Sequence, residues 1–350
     1  MPSLTAHPSL SASCQQVVHE DLSDLANSKV IIRSCMAHPD LSPTVTNHKC
    51  NHVVLTPSGL YADMAVEVAH YIWKHHRGRD AELPGINVCD LEVHKPLIVK
   101  DPAKMDQLWL EMEVTASISE YARQDITNAV LKCVFHSISP DGARLQENGH
   151  CNVRFEWYYG WLSEWSNSVT GIKNCIDSLY ARASSDVIGQ VSLVQRKTAY
   201  KLFESFVQYS GKYQNMAEVI FDSDTLEATS LLDFQPDPTG DLCGPYYLDG
   251  SCHLSGFVCN AVEKDKDKNA YISHGVTAMR LSPMFRPDEK NSEIRNYVRM
   301  QPLPTDKTVL QGDVYVLQDG QIVGMWEGVR FKRIPRKVLN VFLPPPPKPA

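Results

Sequence analysis

Two short segments carry side chains that could move a proton. In the first, His48 lies ten residues before Ser58, and the pair Pro57-Ser58 is typical of a helix start. An imidazole suits proton abstraction because its ordinary pKa lies near neutral pH. A loop or short strand leading into that helix could aim His48 into a cavity. The alternative is a histidine in a solvent-exposed loop, which is the commoner case among the 13 histidines of this chain.

The second segment is a predicted helix at 249–261. Asp249, His253, Gly256 and Asn260 follow an i, i+4, i+7, i+11 spacing and therefore share one polar face of this helix. Such a face either lines a cavity or lies in water, and the spacing leaves both alternatives open. Asp249 could also cap the amino end of the helix, because Gly-Ser follows it.

Each of the two helices precedes a strand-rich region. A helix at 58–73 comes before strands within 86–155, one of them predicted at 130–138, and the helix at 249–261 comes before strands within 270–331. An Asp-Gly turn punctuates each strand region. The chain is therefore predicted to be α+β, with two antiparallel sheets that each wrap around a long central helix. One such unit is called a hot dog, so two copies make a double hot dog.

The predicted domain bounds follow from this duplication. Residues 1–165 are predicted to form the amino-terminal half, 166–199 to link the halves through a helix, and 200–343 to form the carboxy-terminal half. Residues 344–350 begin with four prolines, which favour a stiff polyproline II linker. We interpret this ending as that of a piece of a larger protein, with a natural tail as the alternative.

Composition limits the classes of function and partner. A net charge of −7 and a pI near 6.0 argue against the basic face that nucleic-acid binding needs. The sequence has neither a signal peptide nor an apolar run of about 18 residues, which indicates a cytoplasmic protein. Ten cysteines without a CxxC pair are predicted to be reduced thiols. Without HExxH, CxxC or a phosphate-binding loop, we expect no metal site and no nucleotide.

Both segments resemble the signature regions of product template domains, which belong to fungal iterative non-reducing polyketide synthases. In that family a histidine precedes a Pro-Ser helix start, as His48 does here. An aspartate comes before a His or Gln and then a Gly-Phe, as Asp249 does here. The resemblance covers about residues 17–342 and includes further matching segments: Tyr200-Lys201-Leu202-Phe203, Glu227-Ala228 and Trp165. Two motifs in the right order, one in each half of a duplicated plan, make it specific.

The resemblance implies the roles of individual residues. His48 is implied as the catalytic base and Asp249 as its partner. His253 matches a substrate-facing position, and substrate contacts are also expected from Asn260, His274, Pro57 and Ser58. The chain departs from the family where Asn47 and His52 stand in place of common glycines. These two changes are expected to narrow or polarise the entrance of the pocket.

The implied reaction is a regiospecific intramolecular aldol condensation, with aromatisation, of a linear poly-β-ketone. The substrate would be carried on the phosphopantetheine of an acyl carrier protein, and no cofactor of the domain itself is expected. The implied partners are that carrier protein, the other domains of the same synthase and a second copy in a homodimer. Ring closure at C2–C7 is the favoured regiochemistry, and closure at C4–C9 stays open. A basic run either docks the acidic carrier or is the solvated face of the last strand; its members are Arg330, Lys332, Arg333, Arg336 and Lys337.

Two rival functions remain open. Polyketide dehydratases share the double hot-dog plan and a His/Asp pair, but they act on a β-hydroxyl group. In their usual pattern a glycine stands where His52 is found here, although Pro57 agrees with that pattern. The second rival is a non-catalytic hot-dog module that only binds acyl chains, and an intact His48 and Asp249 argue against it.

Overall fold

The chain is described by a computed structural model that covers residues 9–118, 126–185, 191–236, 244–261 and 267–345. In chain order the helices are α1 (Ser42–Thr46), α2 (Ser58–Arg77), α3 (Tyr158–Ser184), α4 (Arg196–Phe203), α5 (Pro245–Asn260) and α6 (Arg336–Phe342). The strands are β1 (Gln16–Asp21), β2 (Lys29–Cys35), β3 (His48–Cys50), β4 (Val53–Leu55), β5 (Gly85–Val93), β6 (Ile98–Val99), β7 (Trp109–Ser117), β8 (Val130–Ile138), β9 (Arg144–Glu156), β10 (Val191–Gln195), β11 (Val207–Tyr209), β12 (Met216–Asp222), β13 (Glu227–Leu232), β14 (Asn269–Ser273), β15 (Val276–Leu281), β16 (Ile294–Arg299), β17 (Gln301–Pro302), β18 (Val309–Gln318) and β19 (Gln321–Pro335).

The described residues divide into two compact units that are interleaved in sequence. The first unit contains residues 9–46, 55–118, 126–157 and 244–248. The second unit contains residues 47–54, 158–185, 191–236, 249–261 and 267–345. The segment that carries His48 therefore belongs to the second unit, although its neighbours on both sides in the sequence belong to the first. The predicted domain bounds, which follow the chain without such an exchange, stay a prediction.

The first unit is an antiparallel sheet with one long helix against it. Its strand order is β1-β2-β7-β8-β9-β5. Helix α2 packs on this sheet through rings: Tyr61 meets Phe135 of β8 at 5.0 Å, and Trp73 meets Phe155 of β9 at 5.3 Å between centroids. The helix is one turn longer than predicted and ends at Gly78, whose φ of 96° suits a residue without a side chain. Helix and sheet thus match the predicted plan.

The second unit has an antiparallel sheet with a helix on each face. Its strand order is β15-β19-β18-β16-β13-β12-β10, and β14 pairs with β19. Because side chains alternate along a strand, neighbouring residues of β12 point to opposite faces. Phe221 meets Phe257 of α5 at 5.3 Å, whereas Ile220 joins the apolar cluster around Trp165 of α3. The central helix α5 therefore covers one face and α3 covers the other.

Strand β19 shows the same alternation where it contacts α5. The indole nitrogen of Trp326 donates to Oγ of Ser251 on α5 at 2.9 Å, whereas the preceding Met325 lies in the cluster around α3. Asn296 of β16 donates to the carbonyl of Ser251 at 3.0 Å. Helix α5 is thus fixed to the sheet by buried polar contacts as well as by packing.

Several local predictions are confirmed, and one is wrong. Strand β8 has the predicted bounds, and the β18–β19 hairpin turns at Asp319 and Gly320, both with positive φ. None of the nine described cysteines forms a disulfide. Helix α5, however, begins at Pro245 instead of Asp249, because proline is compatible with the first helical turn. Asp249 therefore lies in the second turn and is not a helix cap.

The predicted link at 166–199 contains the rest of α3, then β10 and the first half of α4. Across the described part of the chain, no helix combines the length and the apolarity needed to cross a membrane.

Candidate active site

His48 opens the short strand β3 of the second unit. Strand β3 pairs with β11, and the register places Tyr209 directly opposite His48. Next to this pair, the amide of Ser210 donates to the carbonyl of Asn47 at 3.1 Å, and the Ser210 hydroxyl donates to Oδ1 of Asn47 at 2.8 Å. His48 is only 6% exposed. His48 therefore lies in a buried short strand, as one alternative predicts, and not in a solvent-exposed loop.

The turn that follows His48 has an unusual backbone. Asn51 and His52 both have positive φ, at 51° and 66°. Two such residues between paired strands are typical of a type I′ turn, in which glycine is preferred at the second position. Asn51 is tied down, because its Nδ2 donates to Oδ1 of Asn340 at 2.9 Å and to the carbonyl of Leu343 at 2.7 Å. His52 is exposed, and its positive φ gives a backbone reason for the glycine that the family motif has at this position.

We expect His52→Gly to raise the free energy of unfolding by about 1 kcal/mol, because a left-handed conformation costs a residue with a Cβ about 1–2 kcal/mol. Calorimetry should show a higher melting temperature. Asn51→Gly is the matched control in the same turn: it also removes the positive-φ strain but loses two hydrogen bonds, so it should lower stability. A lower melting temperature for His52→Gly would contradict the strain at this turn.

On α5, Asp249 and His253 form a close pair one helical turn apart. Oδ2 of Asp249 lies 2.7 Å from Nε2 of His253, and the two side chains are 12% and 2% exposed. The polar face predicted for this helix is thus buried and does not lie in water. Nδ1 of His253 is also buried and has no hydrogen-bond partner among the described residues. An imidazole that donates from Nε2 keeps a lone pair at Nδ1, so this atom can accept a proton.

Aromatic rings connect the two histidines. The ring of Tyr209 stacks on that of His253 with centroids 4.0 Å apart and an angle of 26°. The same Tyr209 meets His48 nearly edge-on at 5.4 Å. Tyr213 lies 6.0 Å from His48 and 5.9 Å from His253. Two tyrosines therefore lie within ring contact of both imidazoles, and the four rings form one buried cluster that we call the ring cluster.

Burial and one carboxylate, that of Asp249, shift the pKa values in and around the ring cluster. Burial raises the pKa of Cys50 and of Cys252 to about 12, and the negative charge of Asp249 adds to both rises. Burial, followed by the same charge, holds the pKa of the Tyr209 phenol well above its ordinary value. These thiols and this phenol stay protonated at neutral pH and cannot act as bases. Proton transfer in the cluster is left to the two imidazoles and the carboxylate.

The other predicted site residues lie in varied surroundings. Asn260 is buried, and its amide bridges α5 to β14: Nδ2 donates to the carbonyls of Gly256 at 3.2 Å and Tyr271 at 3.0 Å, and Oδ1 accepts from the Tyr271 amide at 2.9 Å. Both of its donor hydrogens are therefore used by the backbone. His274 is exposed just after β14, where its amide donates to the carbonyl of Arg330 at 2.8 Å.

Pro57 and Ser58 belong to the first unit, at the start of α2. Pro57 is buried and Ser58 is half-buried. The helix start predicted from this pair is confirmed. Contact between substrate and any of these four residues, Asn260, His274, Pro57 and Ser58, stays a prediction.

Tyr209 and Tyr213 are members of the site that the sequence pattern does not predict. They lie four residues apart, which resembles helical spacing, but Tyr209 ends strand β11 and Tyr213 ends a single 3-10 turn. Nothing in their local pattern connects them to His48. A signal exists only in the pairing of β3 with β11, which the sequence alone does not reveal.

Comparison with known proteins finds similar sequences in polyketide synthases. No protein-family model matches the chain. The chain is 43% identical to the non-reducing polyketide synthase PKS1 of Zymoseptoria tritici and 37% identical to the non-reducing polyketide synthase 1 of Elsinoe fawcettii, each over 339 residues. Each alignment covers 96% of this chain, and the chain spans only 15% of the length of these relatives.

A solved structure identifies the fold. The dehydratase domain from the CurF module of the curacin polyketide synthase matches with a TM-score of 0.61, and the match covers 93% of this chain and 99% of that one. At 13% identity this likeness is one of fold, and it confirms the predicted double hot dog. Along nearly its whole length the chain therefore matches a segment of fungal non-reducing polyketide synthases, and its double hot-dog fold is consistent with the product template domain that its two motifs predict.

Proposed function

We propose that this chain is a product template aldol cyclase. It folds a linear poly-β-ketone, carried on the phosphopantetheine of an acyl carrier protein, and catalyses one regiospecific aldol condensation followed by aromatisation. The observation that carries the proposal is the ring cluster, in which a buried His48 lies close to a buried carboxylate–imidazole pair. The similarity to non-reducing synthases supports the substrate class, because a chain left unreduced keeps its ketones.

His48 is the base of the proposed reaction. A methylene between two carbonyls is acidic enough for an imidazole to take its proton, and this leaves an enolate. The enolate carbon attacks a ketone further along the same chain, so that a carbon–carbon bond forms and the ketone oxygen becomes an alkoxide. The alkoxide takes up one proton and becomes a hydroxyl group. A base then removes a proton from the neighbouring carbon, the hydroxyl takes up a second proton and leaves as water, and enolisation makes the ring aromatic. Every step is a proton transfer, a bond formation or a loss of water, so no cofactor is needed.

Asp249 and His253 supply the opposite function, which is to hold a proton for the developing alkoxide. Nε2 of His253 donates to Asp249, and Nδ1 carries the proton that the alkoxide takes. The carboxylate at 2.7 Å balances the charge of the protonated ring, as an aspartate does for other catalytic histidines. The family resemblance implies Asp249 as the partner of His48, whereas the observed distance favours His253 as the side chain through which Asp249 acts.

The tyrosines of the ring cluster orient the substrate. A poly-β-ketone is largely planar when enolised, so its face can stack on Tyr209 or Tyr213 as an aromatic ring would. Because the site holds one pair of carbon atoms at reacting distance, one product forms instead of the mixture that arises spontaneously.

Neither rival function explains this site as well. A dehydratase shares the fold, but it acts on a β-hydroxyl group made by ketone reduction, a step that a non-reducing synthase does not carry out. A passive acyl binder has no use for a buried carboxylate–imidazole pair, since burying a charged group is costly.

The test is a reconstitution with the remaining catalytic domains and the carrier protein of the synthase. With this chain present, one aromatic ring system should form. Without it, the products should be pyrones and mixed rings from spontaneous cyclisation. An unchanged mixture in both reactions would sink the proposal.

The basic run gives a prediction about carrier docking. Arg333 and Lys337 are exposed, whereas Arg336 is half-buried and donates to the carbonyl of Ser205. We expect the double variant Arg333→Glu with Lys337→Glu to raise KM for a carrier-bound substrate about tenfold or more at low salt, because it turns attraction for an acidic carrier into repulsion. KM for a small thioester analogue should not change.

A matched control reverses two charges elsewhere. Lys100 and Lys104 are exposed residues of the first unit, and changing both to Glu alters the net charge equally. If the two double variants behave alike, the basic run is only a solvated face. A loss of activity on both the carrier-bound and the small substrate would indicate damage to the fold instead.

A further inference from the structure

Three side chains with metal-binding groups meet in the first unit, where the end of strand β5 lies beside the middle of β9. Glu92 of β5 pairs with His150 of β9 in the sheet register, so both side chains lie on the same face. His94 follows Glu92 by two residues and returns to that face, and its amide donates to the carbonyl of Asn148 at 2.9 Å. Gly149 allows this approach, because a Cβ there would collide with the carbonyl of Glu92.

An irregular backbone produces this arrangement. The pairing of β5 with β9 shifts register between Cys89 and Glu92, and Asp90 within this bulge has a φ of 51°. Bulges redirect side chains and often lie next to functional sites. Without the extra residue, Glu92 would point to the other face of the sheet and would not meet His150.

The distances suit one small cation. One ligand atom from each of Glu92, His94 and His150 can be chosen so that all three lie within 4.8 Å of one another. Nδ1 of His94 lies 3.9 Å from Oε2 of Glu92, and the two imidazole rings are 5.2 Å apart between centroids. Zinc bonds of ~2.0–2.1 Å hold tetrahedral ligand atoms ~3.3 Å apart, so small side-chain rotations complete the geometry. The side chains of His94 and Glu92 are 46% and 39% exposed, which leaves access for the ion and for water.

We propose that Glu92, His94 and His150 bind a zinc ion, with water as the fourth ligand. Two imidazoles and one carboxylate form a ligand set that zinc uses in proteins, whereas calcium and magnesium prefer oxygen ligands alone. The ion ties the end of the bulged strand β5 to β9 and stabilises the first unit there. This site revises the expectation that the chain holds no metal, and it is independent of the proposed cyclase function.

The experiment is a zinc titration of the whole chain, freed of any affinity tag, against a competing chelating dye. Wild-type protein should bind one zinc ion at this site, and its melting temperature should rise with zinc. Glu92→Gln, His94→Gln and His150→Ala should each weaken binding about tenfold or more, because each removes a ligand. His94 is exposed, so His94→Gln tests the site even if another variant fails to fold.

The matched control is His75→Ala with His76→Ala on α2. Those two rings are also 5.2 Å apart, but they belong to no three-ligand group among the described residues. This variant should bind zinc like wild type. Cobalt in place of zinc should give the visible spectrum of nitrogen and oxygen ligands. Sulfur bands in that spectrum, wild-type binding by His94→Gln and Glu92→Gln, or loss of binding only in the control would overturn the proposal.

Discussion

Replacement of His48 by Gln is expected to slow cyclisation of a carrier-bound poly-β-ketone by ~10²–10⁴-fold. Glutamine keeps a polar side chain of similar size in the buried position opposite Tyr209, but it cannot take a proton from a methylene. Spontaneous ring closure should then exceed the catalysed reaction. The product profile should change from one aromatic ring system to pyrones and mixed rings, as separated by chromatography and identified by mass spectrometry.

A histidine four residues away provides the control. His52 is exposed and lies in the adjacent turn, so His52→Gln should keep the wild-type product and rate. Single-turnover measurements with excess enzyme isolate the chemical step from carrier exchange. If His48→Gln yields the wild-type product at the wild-type rate, His48 is not the base.

Replacement of Asp249 by Asn is expected to cost a comparable ~10²–10⁴-fold in the same assay. Asparagine keeps the shape of the side chain but removes the charge that would balance a protonated His253 at 2.7 Å. His253→Gln removes the proton-holding ring itself and should cost about as much. Because the two residues form one unit, the double variant should be no slower than the worse of the two single variants.

Comparison of these single and double variants separates two roles of Asp249: action through His253 and action through His48. If Asp249 acts mainly through His48, then Asp249→Asn should cost nothing further in a His48→Gln background, while His253→Gln should add its own loss to that of Asp249→Asn. Asp288→Asn on the exposed surface is the charge-matched control and should leave the rate unchanged. A wild-type rate for Asp249→Asn would remove the carboxylate from the mechanism altogether.

The parts of the fold that the sequence predicted are those set by local rules. The apolar spacing of α2, the alternation in β8 and the Asp319-Gly320 turn are each decided within a few residues, and each is confirmed. The sequence predicts a start of α5 that is four residues late, because Asp249 is a good helix cap. Pro245, which is also compatible with a first helical turn, is the residue at which the helix begins. An aspartate inside a helix can pair one turn ahead, which a cap cannot do, and this changes the expected partner of Asp249.

The parts of the site that the sequence did not predict are set by strand pairing. Tyr209 reaches His48 only because β11 pairs with β3, and His150 reaches Glu92 only because of a bulge in β5. Neither event leaves a regular spacing in the sequence. The motif resemblance identified His48 and Asp249 without this information, but it could not supply the rings that lie between the two histidines.

The interleaving of the two units has a consequence for how the protein folds. Strand β3 and its partner β11 are separated by roughly 160 residues, so their pairing must overcome a large loss of chain entropy before it gains any contact. Pairings that are this distant in sequence tend to form late and slowly, whereas β1 with β2 and β8 with β9 in the first unit close short loops. During synthesis on the ribosome, the segment with His48 emerges long before its partner strand exists. A polypeptide cut between residues 157 and 158 would leave the fragment 158–350 without the histidine strand, so we expect complementation by the missing fragment to be necessary for activity.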